Sequence, residues 1–374
     1  MKHLKIVFVL NNFLIGGVEQ LVLNLATNLS AAGHLVEVVA VLGGGPLEKE
    51  FESRHIPIHH VFPSKHFSTN LFFKILWLSA VPLTLLRTIF ILKKISPDLV
   101  ATSLYQADIL GIIGAYVCGI KKRILIQHDT AEFSALRKWI KQFFALRLAT
   151  AIVCVSGITR SFMIAYFRVK PEMIKIIYNG IDMAKFAKGK KLTSNKELVF
   201  GIIGRLEPVK GQIVLLKALE ILKRKSGLTL VVLVVGQGSQ EKVLKQFAKD
   251  HALESTMFIG STSNTAETLA SIDVLIVPSQ REGFGLVVLE GLAAGKTIVA
   301  SDIAAFTELI RPNVNGILFE KDKPDQLAAI LKKLITEPTL IDKLKTGVEA
   351  WAKEVGYTYD IEHTTREYEK LFLK

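Results

Sequence analysis

Cysteine is nearly missing: Cys118 and Cys154 are the only two in 374 residues, and both lie in apolar runs. They have neither metal-ligand spacing nor the makings of a disulfide framework. That points to a reducing compartment and to two small buried hydrophobes. Long uncharged apolar runs are missing too. The most apolar segment, Asn70 to Leu92, is broken by Lys74, Pro82 and Arg87, so its longest uncharged stretch, Ile75 to Leu86, has 12 residues. A bilayer span needs ~20, and no spanning helix is expected. Two readings stay open. The segment is a helix partly buried in the fold, or its apolar face lies in a membrane interface flanked by Lys65, Lys74, Arg87, Lys93 and Lys94. No secretory leader is expected, since the apolar run Leu4 to Leu10 ends at Asn11 and Asn12 with no small-residue cleavage site after it.

Acidic residues are scarce in the first half. Residues 1–182 hold 20 Lys and Arg against 11 Asp and Glu, giving +9, whereas the remainder holds 27 against 23, giving +4 of the total +13. Such asymmetry suggests an anionic partner for the first half: a nucleic acid, a membrane surface or a phosphorylated acceptor. No nucleic-acid motif is present and aromatics rarely interleave with the basic residues, so no nucleic-acid partner is expected. What is abundant is apolar material. Half the residues are apolar and 22% are charged, which excludes global disorder, and the length suits two domains.

Short apolar strands alternate with helical segments throughout. Strands are expected at Lys5–Leu10, Val36–Val41, Leu99–Ala101, Arg123–Ile126 and Ile152–Val155, with helices such as Val18–Ala32 and Glu132–Leu148 between them. The pattern restarts with Leu198–Ile203, Thr229–Val235, Met257–Ile259, Val274–Val277 and Thr297–Ala300. Runs that do not alternate imply strands covered on both faces, hence parallel sheets in α/β layers. The polar stretch Met183–Lys196, rich in lysine, has a linker's composition. The domains expected are therefore 1–182, a linker 183–196, and 197–356. Two such domains facing each other would leave a cleft lined by the carboxyl ends of both sheets.

One segment is dense in chemistry. In PSQREGFGLVVLEGLAAG, Pro278 to Gly295, the carboxylates Glu282 and Glu290 flank a Gly283-Phe284-Gly285 turn that follows a buried-strand pattern and leads into a helix. Glycine lets the backbone approach a ligand, and a helix N-terminus suits a phosphate. Taken alone, the two glutamates would be an acid/base couple around a phosphate nest, or merely two residues of a surface helix. Upstream, GRLEPVKG, Gly204 to Gly211, also lies between strand and helix. Arg205 offers a bidentate fork and Lys210 a mobile point charge to a diphosphate. Val235-Gly236-Gln237-Gly238 and Phe258-Ile259-Gly260 end two further strands.

Taken in order, GRLEPVKG, VGQG, FIG, VPSQREGFGLVVLEGLAAG, SDIAAFTELI and NGILF resemble the retaining glycosyltransferases of the GT-B type, family 4. Gly16-Gly17-Val18-Glu19 and Tyr178-Asn179-Gly180-Ile181-Asp182 fit the same pattern, so the resemblance covers nearly the whole chain. It implies an α/β, GT-B fold: two facing Rossmann-like domains with a deep interdomain cleft, the C-terminal helix (357–374, with a helix expected over Thr358–Leu373) crossing back to the N-domain. It further implies that Arg205 and Lys210 hold a nucleotide diphosphate and that Glu290 meets the ribose hydroxyls. Glu282, with Gly283, Phe284, Gly285 and Leu286, would meet the donor sugar and β-phosphate. Gly236 and Gly238 would line the donor site, and Gly16 and Gly17 would form a loop over phosphate and sugar. His128, in Ile126-Gln127-His128-Asp129, matches a histidine near the donor sugar.

The activity implied is front-face transfer, with retention, of a hexose or N-acetylhexosamine from a nucleotide diphosphate sugar, UDP-linked by family frequency. The acceptor would be a glycan or lipid-linked molecule in cell-envelope polysaccharide synthesis. Glu282, His128, Arg205 and Lys210 are the catalytic candidates. No metal or other cofactor is expected, since no Asp-x-Asp flanked by apolar residues occurs, and the cations and helix dipole would take the metal's part. The location implied is cytoplasmic, peripheral on the inner face of the cytoplasmic membrane, with the basic N-domain against anionic lipid. The chain departs from the family in having Glu290-Gly291-Leu292-Ala293-Ala294-Gly295, Lys296-Thr297 and Ala304-Ala305, which bears on pocket shape and removes no charged group. Rival readings are an epimerase or disaccharide phosphate synthase on the same fold, and a non-catalytic nucleotide-sugar binding protein.

Overall fold

The computed structural model describes residues 3–62, 71–187, 197–262 and 264–374, side chains 71–80 excepted. The chain divides into two compact units. The first is Met1–Gly180 with Ile361–Lys374, the second Ile181–Asp360.

In the first unit, β1 (Lys5–Leu10), β2 (Leu35–Ala40), β3 (Ile58–His60), β4 (Leu99–Ser103), β5 (Lys122–Gln127), β6 (Ala151–Cys154) and β7 (Ile174–Ile176) form one sheet in the order 3-2-1-4-5-6-7. Every pairing is parallel. The central strands have no polar face because helices cover both sides, and Ile6, Val7, Phe8, Val9 and Leu10 are fully buried. Among these helices are α1 (Gly17–Ala31), α2 (Leu71–Ile95, with Pro82 inside), α3 (Tyr105–Val117) and α4 (Ala135–Ile140). A π-helical run, Lys141–Leu146, continues α4. The strand order reverses between β1 and β4, which opens a crevice at their carboxyl ends. There Asn11 stitches the β1 loop to α3: its side-chain amide donates to Gln106 Oε1 at 2.9 Å, and its Oδ1 accepts from the Ala107 N–H at 3.0 Å.

In the second unit, β8 (Val199–Ile203), β9 (Val231–Val235), β10 (Thr256–Gly260), β11 (Val274–Val277), β12 (Thr297–Ser301) and β13 (Gly316–Phe319) run in the order 10-9-8-11-12-13, again all parallel. Here the order reverses between β8 and β11, so the loops after those two strands flank the crevice. The helices that matter are α5 (Met183–Ala187), α6 (Gln212–Ser226) and α7 (Leu286–Ala293).

Ten strands fall within two residues of the sequence expectation at either end. The three not anticipated, β3, β7 and β13, are sheet edges of three or four residues. Ile58-His59-His60 and Ile174-Lys175-Ile176 are half-buried and too brief to show a period. The helix expected from Glu132 begins instead at Ala135, after Ser134, and turns π-helical at Lys141. The last expected helix is divided: a 3₁₀ turn, Gly356–Tyr359, precedes the helix Ile361–Leu373. The stretch read as a linker opens with α5, and 188–196 lie outside the described residues, as does Asn70. Among the described residues no helix is long and apolar enough to cross a membrane.

The C-terminal helix belongs to the first unit. Tyr368 and Phe372 are fully buried, and the Phe372 ring lies 6.4 Å from that of Phe8 in β1. Asn28 of α1 donates to Thr365 Oγ1 at 3.3 Å. Emptying this site leaves a cavity against β1. Phe372→Ala should therefore lower the stability of the first unit by about 3–5 kcal/mol, measured by denaturant unfolding.

Candidate functional site

In the second unit the loops at the carboxyl ends of β8, β9 and β10 are laced together through their backbones. Gly204 N donates to Val235 O at 3.0 Å, Leu206 N to Gln237 O at 2.9 Å, Gln240 N to Leu206 O at 2.9 Å and Gly236 N to Gly260 O at 2.6 Å. No side chain fits between them. A Cβ on Gly236 would overlap the Gly204 carbonyl, one on Gly238 the Leu206 backbone, and one on Gly211 the Pro278 carbonyl. The close approach for which Gly236 and Gly238 were singled out is thus made, within this unit, by the loop that carries Arg205 and Lys210.

That loop is also tied to the one after β11. Gln280 N donates to Val209 O at 2.8 Å. Lys210 Nζ meets Glu282 Oε1 at 2.6 Å, and Ser279 Oγ donates to the same oxygen at 2.9 Å. The lysine and the glutamate were predicted from separate motifs, and the fold brings them into one ion pair. Arg205 stands apart from it. Its side chain is exposed, while its carbonyl accepts from Gln212 Nε2 at 2.8 Å. Next to it, Glu207 accepts from Ser239 Oγ at 2.7 Å and from the Ser239 N–H at 3.1 Å, bonds that hold its carboxyl below the usual range.

Beyond Glu282 the chain turns through buried Gly283 and Phe284, whose ring lies 5.9 Å from that of Tyr359. Gly285 then caps α7 with φ 96°, in the left-handed region, and no side chain caps the helix. The positive end of the α7 dipole therefore opens onto the Glu282 turn. Leu286 begins the helix and Glu290 lies one turn along it. Burial pushes the Glu290 carboxyl up to about 7, against a smaller downward pull from Lys185 of α5. The two glutamates thus occupy different environments: one is bonded to an ammonium and a hydroxyl, the other is desolvated.

The remaining predicted residues are in the first unit. Gly16 precedes α1 as its N-cap, Gly17 is the first helical residue, and no side chain caps that helix. A Cβ on Gly16 would collide with the Glu19 carboxylate, which is buried at 7% exposure. His128 follows β5 and its Nε2 lies 3.0 Å from Ser103 Oγ at the end of β4. Burial, helped by the nearby Lys141 charge, holds the imidazole down at about 3, so it is neutral across the physiological range.

Sequence reasoning missed what lies beneath His128. Lys141 and Asp108 form an ion pair at 2.8 Å with side-chain exposures of 2% and 1%. Lys141 Nζ also donates to Gln127 Oε1 at 2.9 Å, and Thr102 Oγ1 donates to Asp108 Oδ1 at 2.8 Å. The one signal in the sequence is an aspartate inside the otherwise apolar run Ala107-Asp108-Ile109-Leu110. Among the described residues no group of three or more His, Cys, Asp or Glu could hold a metal ion.

Two parallel-sheet units, with cations and an uncapped helix start at the switch point of one, define a Rossmann-like protein. Comparisons with known proteins make this specific. The family model described as "Glycosyl transferases group 1" matches residues 184–351, and "Glycosyltransferase Family 4" matches residues 15–185. HepE from Anabaena, solved with UDP and glucose, superposes with a TM-score of 0.83 at 21% identity over 100% of both chains, a likeness of fold. The UDP-Gal:alpha-D-GlcNAc-diphosphoundecaprenol alpha-1,3-galactosyltransferase of Escherichia coli is 27% identical over 268 residues, 67% of this chain and 69% of that one. The D-inositol 3-phosphate glycosyltransferase of Rhodococcus erythropolis is 27% identical over 219 residues, 54% of this chain and 49% of that one, so the match spans about half that relative's length. The chain belongs to the group 1, family 4 glycosyltransferases of GT-B fold. It is a transferase enzyme.

The Glu290 environment has a consequence for stability. Its carboxyl is raised from 4.5 to about 7, so the folded state favours the neutral form. That contribution is full below the unfolded value and is lost as pH rises to the folded value. Relative to a Glu290→Gln protein, wild-type stability should fall by up to about 3 kcal/mol between those two pH values, read from denaturant midpoints across the range.

Proposed function

We propose that the protein moves a hexose or N-acetylhexosamine from a UDP-linked donor to a glycan or lipid-linked acceptor in cell-envelope polysaccharide synthesis. The observation that carries this reading is the Lys210–Glu282 pair at 2.6 Å, set at the β8/β11 switch point beside the uncapped start of α7. The site holds a cation for a diphosphate and a carboxylate for a sugar, already in contact. UDP is favoured because HepE was solved with it and the E. coli relative is named for a UDP-sugar. A lipid-linked acceptor is favoured by that same relative's name.

In this reading Arg205 and Lys210 hold the diphosphate. They neutralise the charge that grows on it as the glycosidic bond breaks, with the α7 dipole adding to them. No metal or other cofactor is needed for that task. Glu282 meets the donor sugar, with Gly283, Phe284, Gly285 and Leu286 presenting backbone to sugar and β-phosphate. Glu290 accepts from the ribose hydroxyls. Gly236 and Gly238 serve the donor by keeping the Arg205 loop in place. Gly16 and Gly17 contribute a loop to phosphate and sugar, and neutral His128 gives a hydrogen bond to the sugar. Transfer proceeds on one face, the leaving diphosphate accepting the acceptor's proton, so the anomeric configuration is retained. The excess of +9 in residues 1–182 and the exposed Leu83, Leu86 and Phe90 of α2, near Lys93 and Lys94, support peripheral contact with anionic lipid at the inner face of the cytoplasmic membrane.

The ion pair gives this reading an unusual signature. A diphosphate must share Lys210 with Glu282 or take it away. Glu282→Gln should therefore bind UDP several-fold more tightly in calorimetry, while sugar transfer falls by about two to three orders of magnitude. Lys210→Ala should lose about ten- to a hundredfold in UDP affinity, as expected for a charged hydrogen bond. A Glu282→Gln protein that transfers sugar at the wild-type rate would sink the proposal.

Stereochemistry provides an independent check. The product formed from an α-linked donor should show the small anomeric coupling of an α-glycoside by proton NMR, at a rate unchanged by EDTA. A β-linked product would reject front-face transfer, and loss of activity in EDTA would reject the metal-free reading.

A further inference from the structure

Lys141 and Asp108 are a buried ion pair that the proposed reaction does not use. Two desolvated charges are costly, and an apolar pair of similar volume is often as stable or more so, so the pair is poorly explained by stability alone. Its surroundings indicate a further task. Lys141 is the first residue of the π-helical run Lys141–Leu146, an irregularity often found at functional sites. Its ammonium lies 5.8 Å from the ring centroids of both Phe133 and Phe167. The other residues of that turn, Gln142, Phe143 and Phe144, face solvent, whereas Lys141 points into the unit.

Each end of the pair reaches a residue next to the His128 contact. Lys141 bonds Gln127 Oε1 at 2.9 Å, and Gln127 precedes His128. Gln127 Nε2 in turn donates to the Asp129 carbonyl at 2.6 Å, closing the turn around His128. Asp108 accepts from Thr102 Oγ1 at 2.8 Å, and Thr102 precedes Ser103, the partner of His128 Nε2 at 3.0 Å. The pair therefore clamps the ends of β4 and β5, from which the imidazole and its partner both project.

We propose that Lys141 and Asp108 are positioning residues, a buried clamp that fixes the Gln127–Asp129 turn and sets the His128 imidazole in place for the donor sugar. The proposal rests on the role given to His128 above. The charge acting on the imidazole is Lys141, with its partner Asp108 behind it and Asp129 on the same turn; Cys154 at the end of β6, whose thiol burial pushes up to about 12, also feels Lys141. Of these, the Lys141 cation opposes protonation of His128, which is why the clamp has a readable effect on pH response.

Single removal of Lys141 strands a buried carboxylate, so the informative protein is the double variant Lys141→Met/Asp108→Asn, in which the side-chain amide introduced at position 108 keeps an acceptor for Thr102. Its thermal unfolding should stay close to wild type. The kcat for sugar transfer should fall about ten- to a hundredfold, with donor KM changing less than about threefold, as expected for misplacement of a reacting group. The assigned His128 Cε1–H resonance, fixed with a His128→Ala control, should move and titrate at higher pH than in wild type. A folded double variant whose His128 resonance and pH response match wild type would overturn the clamp. So would a wild-type His128 that titrates at the pH of an ordinary histidine, a measurement that does not depend on the variant folding. The NMR arm reads the clamp whether or not sugar is transferred. Failure of the role given to His128 would appear separately, as unaltered turnover in His128→Ala, and failure of the glycosyl-transfer reading as wild-type protein that transfers no sugar.

Discussion

The second unit depends on backbone meeting backbone. The loop after β8 lies against those after β9 and β11 so closely that Gly211, Gly236 and Gly238 have no room for a Cβ. Because the contact is made by carbonyls and amides, it is rigid where side chains would yield, and rigidity is what a charge-stabilising site requires. The Lys210–Glu282 pair is a consequence. Two long side chains from different motifs meet at 2.6 Å only because the loops carrying them are already fixed, by Gln280 N on Val209 O among other bonds. Position in the sheet then gives the pair its setting, since β8 and β11 are where strand order reverses.

The first unit solves a similar problem with a different device. Here the residue to be placed is a histidine beyond β5, and the groups beneath it are charged. The ion pair of Lys141 and Asp108 holds the β4 and β5 ends through Thr102 and Gln127. Glycines would have allowed close backbone contact but left the local field unchanged. An ammonium supplies position and field together, and with burial it keeps His128 neutral. A neutral imidazole can donate or accept a hydrogen bond, as the one His128 makes with Ser103 shows.

Much of this was legible in the sequence, for identifiable reasons. Central strands such as Val274–Val277 are continuous apolar runs because helices cover both faces, and such runs stand out without an alignment. Edge strands carry no such mark: Ile58-His59-His60 is half-buried along its whole length and has the composition of a loop. The motifs that the fold gathers at the β8/β11 switch point stood out because glycine, arginine and lysine cluster between strand and helix. The meaning of each glycine was not, since spacing cannot say whether a bare Cα makes room for a ligand or for Leu206 backbone. Lys141 was illegible for a related reason. In the sequence a lysine between Trp139 and Phe143 reads as one more solvated side chain, and only its buried partner Asp108, far earlier in the chain, marks it as inward.

The two glutamates show how far spacing can mislead. Seven residues separate Glu282 from Glu290, which suggests a couple that shares one proton between two roles. Their environments oppose this. Glu282 lies at the β11 loop with an ammonium and a hydroxyl on one oxygen. Glu290 lies a turn along α7, where burial favours the neutral acid up to about pH 7. A ribose brings two hydroxyl donors, which favour the ionised carboxylate, so binding the nucleotide should pull that carboxyl back down and release a proton. In the proposed reading Glu290 then registers the nucleoside, while the diphosphate shares the Lys210 ammonium with Glu282 or takes it away. One helix start thus sets two carboxylates in unlike environments, desolvating one and pairing the other.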